Sequence, residues 1–223
     1  MNTSTSQPYT STKTAFTIVE LLMVMAIMFI MTYLSLANYN RFGREVELEN
    51  AVYELALTIR QAQFFGINRN EQFGETFDDP QPYGIYFNLD ATEEEIDDES
   101  FMMYIDQDQN KLFDTADNTY GGGEACTINF SDECIDTYQF TRSSYSYDIC
   151  VGTDEGDCTS VSDLGGGSRE LHISFKRPDP DATIRRNSAT PAYAYAKITL
   201  RSPIVDIPEK SVSVGAAGLI SIN

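Results

Sequence analysis

The sequence predicts an α+β fold, with one long N-terminal helix packed against an antiparallel β-sheet head. Three observations carry this expectation. The segment AFTIVELLMVMAIMF, residues 15 to 29, is almost wholly apolar and carries one carboxylate, Glu20. Beyond it, apolar residues recur at Leu48, Val52, Leu55, Ile59 and Ala62 in alternating steps of four and three, which is one stripe of a helix. From Tyr83 onward the period falls to two, as in strands with one buried face.

The helix comes first. Its apolar run from Phe16 to Ala37 spans about 33 Å at roughly 1.5 Å per residue, close to the hydrocarbon thickness of a bilayer. A secretory signal peptide has a shorter apolar core with a small-residue cleavage site behind it, whereas here the small residue, Ala15, stands in front. Cleavage after Ala15 therefore leaves the apolar helix on the mature chain. An acid within a spanning helix costs about 2.5 to 3.5 kcal/mol, so Glu20 calls for a partner. The plain alternative is a signal anchor with Glu20 near the headgroups. The striped half continues the helix out of the membrane, with Gly43 as a weak point and Gly66 as its stop.

The strands follow. YGIYFNL puts Tyr83, Ile85, Phe87 and Leu89 on one side, and LHISFKRP does the same with Leu171, Ile173 and Phe175. Further strands are expected at 101–105, 144–151 and 192–200, and KSVSV and LISIN joined through Gly215 to Gly218 predict a closing hairpin. Punctuation at Pro80, Pro82, Gly121 to Gly123, Gly165 to Gly167 and Pro178 to Pro180 marks loops within one head. The expected organisation is a leader at 1–15, a membrane-spanning half-helix at 16–37, an extracytoplasmic half at 38–66, and a head at 67–223 with an insert at 90–168.

A short polar leader containing Lys13, then a small residue, then FTIVELL, resembles the prepilin signature of type IV pilins and type II secretion pseudopilins. The RQAQ passage up to Gly66 and the closing IPEKSVSVGAAGLISI are similar to the corresponding parts of GspH/FimT-type minor pseudopilins. This resemblance covers 15–66, is weaker over 83–89 and from Leu171 to the end, and is absent between. It implies cleavage between Ala15 and Phe16 by a prepilin peptidase and methylation of the new amino terminus. It also implies that Glu20, the fifth residue after the cut, neutralises the terminal amine of a neighbouring subunit, an attraction strengthened by a low dielectric. Ala15 stands where the family usually has Gly.

The resemblance thus implies a structural, non-enzymatic subunit of a type II secretion or type IV pilus filament. Its head would lie outside the inner membrane. Its partners would be other pilin or pseudopilin subunits, the prepilin peptidase, the inner-membrane assembly platform and membrane lipid. A large acidic head suits a minor subunit better than one repeated densely along the filament. The alternative is a membrane-anchored extracytoplasmic domain, binding or enzymatic and calcium-dependent, unrelated to filaments.

The 223 residues carry 34 acids against 15 bases, a formal net charge of −19. Such a surface repels phosphate backbones, so no direct nucleic-acid binding is expected. Solubility accounts for most of the acids. One acidic run is patterned. DQDQNKLFDTAD places Asp106, Asp108, Asn110, Asp114 and Asp117 at loop positions one, three, five, nine and twelve, with the Leu112 carbonyl at seven. This is the spacing of a Ca²⁺ loop, whose hard oxygen ligands converge on one ion. Clustered carboxylates repel one another unless a cation or proton relieves them, although an acidic turn solvated by water is the simpler reading. Lys111 occupies position six, where the sharp turn asks for Gly, and Asp117 stands where EF-hands have Glu, which resembles the dockerin-type variant. Because the preceding FMMYI reads as a strand, the expectation is a Ca²⁺ loop without flanking helices.

Four cysteines, Cys126, Cys134, Cys150 and Cys158, follow the spacing C-x7-C-x15-C-x7-C. Short zinc-type pairs are missing, so disulfides in an oxidising compartment are expected. Three pairings are open, and easy closure of local loops favours Cys126 with Cys134 and Cys150 with Cys158. The single histidine, His172, alternates with Leu171, Ile173 and Phe175 and is expected to face solvent without a catalytic role. GGGE and GGGS lack the Lys-Ser/Thr ending of a phosphate loop and read as flexible turns.

Overall fold

A computed structural model describes residues 16–68, 81–89, 100–113, 133–140, 146–164, 169–186, 192–203 and 207–223. Helix α1 spans Ile18–Ile67, and the chain divides into two compact units between Gly43 and Arg44.

In the first unit every described side chain from Phe16 to Leu36 is exposed. Ile18–Leu36, with a mean hydropathy of 2.2, is the one helical stretch among the described residues long and apolar enough to cross a membrane. Two of its hydroxyls are satisfied within the helix. Thr32 donates to the Met28 carbonyl at 2.8 Å and Ser35 to that of Met31 at 3.0 Å, so neither asks for water.

The second unit holds the rest of α1 and ten described strands: β1 Tyr83–Asn88, β2 Ser100–Ile105, β3 Cys134–Gln139, β4 Ser146–Gly152, β5 Cys158–Ser160, β6 Glu170–Phe175, β7 Ala182–Arg185, β8 Tyr195–Arg201, β9 Lys210–Gly215 and β10 Ile220–Ile222. They form two antiparallel sheets of five strands, ordered β3-β2-β1-β6-β7 and β10-β9-β8-β4-β5. The α+β class and the antiparallel pairing agree with the sequence, while the single sheet becomes two.

The helical stripe explains how the core closes. Leu48, Val52, Leu55, Ile59 and Ala62 are all buried, in one cluster with Ile85, Phe87, Met103 and Ile173 of the first sheet and Ile149, Ile198, Val212 and Val214 of the second. Tyr147, on β4, sends its hydroxyl to the carbonyls of Asn88 and Ser100 at 2.9 and 3.1 Å, a polar tie from one sheet to the other. The closing hairpin forms as expected, with Ile220 opposite Val214 and Ile222 opposite Val212. Gln63 donates to the carbonyls of Gly218 at 2.9 Å and Pro180 at 3.1 Å, so the helix also holds that turn. Cys150 and Cys158 are joined by a disulfide with Cα atoms 5.4 Å apart, across the turn that pairs β4 with β5. Cys134 is disulfide-bonded as well, and Cys126 lies outside the described residues.

Two expectations need correction. The helix ends at Ile67, one residue past the stop expected at Gly66, but Gly66 is not a left-handed cap; it is a point of close approach to β6. Nor is the first sheet buried on one face only. Every residue of β1 and β2 is buried, because Tyr86, Met102, Tyr104, Phe113 and Cys134 form a second cluster on the outer face. Gly84 makes room for it, since a Cβ there would lie 2.5 Å from the Tyr104 ring. His172 belongs to this outer layer and is 2 % exposed, not solvent-facing. The chain after β2 folds back over this face, which a strand pattern cannot announce.

Candidate metal centre

The loop leaving β2 begins at Asp106, whose side chain is fully buried, and returns to the outer core at Phe113. Between them it turns on its own polar groups. Asp108 accepts from the Asn110 N–H at 3.1 Å and from its side-chain amide at 3.0 Å, and the Asn110 Oδ1 accepts from the Leu112 N–H at 2.7 Å. Such Asx-type bonds are what Asp and Asn supply in turns. Lys111 donates its N–H to Asp106 Oδ2 at 2.9 Å. Two residues, Gln109 at φ 60° and Lys111 at φ 73°, take the left-handed conformation that favours glycine. Lys111 thus makes the sharp turn at position six without the glycine.

A third acid enters from a different strand. Glu133, immediately before β3, is buried, and its Oε1 accepts from the Gln107 N–H at 2.9 Å across 26 residues of sequence. The β2–β3 register slips between Met103 and Tyr104, so that Tyr104 faces Cys134 and the Ile105 N–H reaches the Glu133 carbonyl at 2.8 Å. Bulges of this kind re-aim side chains. The result is that oxygens of Asp106, Asp108 and Glu133 lie within 4.8 Å of one another, a set that can hold a metal ion.

Asp106 is the unusual member. Its Oδ1 is buried with no hydrogen-bond partner. Burial pushes its carboxyl up to about 6, with Asp108 adding to the rise and the Lys111 and Asn110 N–H groups opposing it. A buried, unpartnered carboxylate oxygen beside two further carboxylates is a position where a hard cation replaces a missing donor. Of the residues the spacing singles out, the structure brings Asp106 and Asp108 together, uses the Asn110 side chain to shape the turn, and leaves Leu112 half-buried at its end. Asp114 and Asp117 lie outside the described residues, as does Ala15. Glu133 is the donor the spacing missed; it sits in an acidic run far along the chain, where nothing separates a ligand from a solvated acid.

Replacing Lys111 by Gly should relieve the left-handed strain, raising stability by about 0.5 to 1 kcal/mol and tightening metal binding several-fold. Thermal melts and metal titrations of the two proteins check this, and equal midpoints with equal affinities would mean that the turn carries no strain.

The second candidate site is the helix start. Thr17 accepts the Glu20 N–H at 3.3 Å while Glu20 accepts the Thr17 N–H at 3.4 Å, a reciprocal capping box around the first turn of α1. Glu20 therefore has a partner within its own chain, and Phe16 beside it is exposed. Comparison with known proteins finds no family model, no curated protein and no solved structure that matches the chain.

Proposed function

We propose that this chain is a pilin-like minor subunit of a type II secretion or type IV pilus filament, anchored in the inner membrane by Ile18–Leu36 with its head outside the cytoplasm. The observation that carries this reading is the apolar surface α1 leaves uncovered. Besides the bare Ile18–Leu36 segment, Val46, Tyr53, Leu57 and Phe64 recur in steps of seven, four and seven and are exposed. At about 100° per residue they fall opposite the buried stripe through Leu55. A helix apolar on two opposite faces, with only one covered, is suited to a bundle in which neighbouring helices cover the other. Cleavage between Ala15 and Phe16 would place a new amine four residues before Glu20, ready to pair with the same acid on a second chain. The cation we assign to the acidic centre is Ca²⁺, because its donors are all oxygen and its loop is a variant of the Ca²⁺ spacing.

The capping box favours a second reading, in which Glu20 serves only its own helix and the head is held by a plain signal anchor. A glutamine distinguishes the two. Glu20→Gln keeps the side-chain oxygen that caps Thr17 but removes the charge. On the filament reading it should reduce incorporation at least ten-fold in the host while membrane levels of the subunit stay normal. Normal incorporation, or a mature chain shown by mass spectrometry to begin at Met1, would overturn that reading.

A further inference from the structure

We propose that Glu133 completes the metal site and that Ca²⁺ bound by Asp106, Asp108 and Glu133 latches residues 106–113 over the outer face of the first sheet. This rests on the assignment of the ion as Ca²⁺ and goes beyond it, since the same ion could bind a loop that stays closed without it.

The loop is a lid with two different ends. At one end Asp106 is fully buried beside Glu133, so an ion there joins the exit of β2 to the entry of β3. At the other end the Phe113 N–H donates to His172 Nδ1 at 2.9 Å, and the Phe113 ring lies 5.0 Å from Tyr86 and 5.7 Å from Tyr104. Tyr86, Tyr104 and His172 stand on β1, β2 and β6, so the lid crosses the middle of the sheet. The Gln109 side chain, at the loop tip, accepts from Lys176 just past β6.

What closes the lid is apolar; what it is made of resists closure. Phe113 covers rings that open to water when it leaves, which favours the closed state. Against this stand two left-handed non-glycine residues and three acids whose oxygens crowd within 4.8 Å, one of them buried without a donor. A divalent cation reverses the sign of the second contribution, turning repulsion among the acids into shared attraction to the ion. Binding to the closed lid alone then shifts the opening equilibrium by the factor 1 + [Ca²⁺]/Kd. Three carboxylates on a loop that departs from the full EF-hand pattern suit an affinity of about 10⁻⁴ to 10⁻³ M, the range of extracellular modules. The lid would therefore close after the head leaves the cytoplasm, where free Ca²⁺ is far lower.

The test is hydrogen exchange on the full chain in detergent micelles, in EDTA and in Ca²⁺ at a hundred times its calorimetric Kd. The amides of Gln107, Lys111 and Phe113 bond to Glu133, Asp106 and His172, so each reports one fastening of the lid. Protection at all three should rise about 100-fold with Ca²⁺. Glu133→Gln retains an acceptor for Gln107 and should weaken Ca²⁺ at least ten-fold, cutting the added protection at the original concentration from about 100-fold to about 11-fold or less. Absence of any calorimetric heat or Ca²⁺-dependent stabilisation overturns both the Ca²⁺ assignment and the latch. Heat accompanied by equal protection in EDTA and Ca²⁺ overturns the latch alone. Unchanged affinity in Glu133→Gln removes Glu133 as a ligand and overturns the proposal as stated, whereas the wild-type comparison stands even if that variant does not fold.

Discussion

Gly66→Ala is expected to destabilise the second unit by about 3 kcal/mol, against the direction that helix propensity alone would give. In an exposed helix, Gly to Ala stabilises by about 1 kcal/mol because alanine gives up less backbone entropy on folding. At Gly66 a Cβ would meet the Phe175 carbonyl oxygen at 2.3 Å and its carbon at 2.8 Å. These are backbone atoms of β6, and the Arg177 N–H fixes the same approach from the other side by donating to the Gly66 carbonyl at 2.9 Å. Neither partner can give by rotating a side chain, so the helix end must lift from the sheet and open part of the core beneath it. Denaturant unfolding of the two proteins in detergent measures the difference. Gly43→Ala is the matched control, since nothing lies within 4 Å of a Cβ there and only the propensity gain remains. Equal, slightly positive effects at both positions would mean that the contact with Phe175 is looser than described.

The same residue marks how far the sequence could be read. The stripe from Leu48 to Ala62 was legible because a helix covered on one face must repeat its apolar residues in steps of three and four, and all five are buried. The exposed stripe of Val46, Tyr53, Leu57 and Phe64 follows the same rule. It is masked in the sequence because it interleaves with the first, and two opposite stripes read together as a helix that is merely apolar. Gly66 looked like a stop since glycine's freedom commonly ends helices, whereas its lack of a side chain is what the neighbouring strand uses. For seven of the ten described strands the position was legible in the sequence, while β3, β5 and β7 were not anticipated, and burial of Tyr86 and His172 depends on a loop returning over the other face. His172 could not be placed without knowing that the Phe113 N–H would need an acceptor. In the acidic centre, spacing found Asp106 and Asp108 because a loop's ligands are local. Glu133 arrives through strand pairing and a bulge, which leave no periodic trace.

Metal-free protein should lose stability as pH rises from about 4 to about 6, through the share of Asp106 in the titration of its acidic pair. An unfolded aspartate titrates near 3.8, while burial beside Asp108 raises the folded group to about 6. Between those values the folded state holds a proton that the unfolded state has released, so the stabilisation is complete below the lower value and disappears above the upper one. A shift of this size corresponds to a few kcal/mol at most, about 1.4 kcal/mol for each pH unit of the window. Most carboxylates that gain partners on folding act in the opposite sense, so the contribution is read as a difference. Asp106→Asn keeps the shape and carries no titrating proton, and its stability curve in EDTA should lack the decline seen in the wild type over this window. Saturating Ca²⁺ should also abolish the decline in the wild type, because the ion replaces the proton among the three acids and binds only where they converge. Ca²⁺ should leave the Asp106→Asn curve almost unmoved. Parallel curves for the two proteins in EDTA would mean that Asp106 titrates like an exposed acid, and the buried oxygen without a donor would then impose no electrostatic demand for a cation.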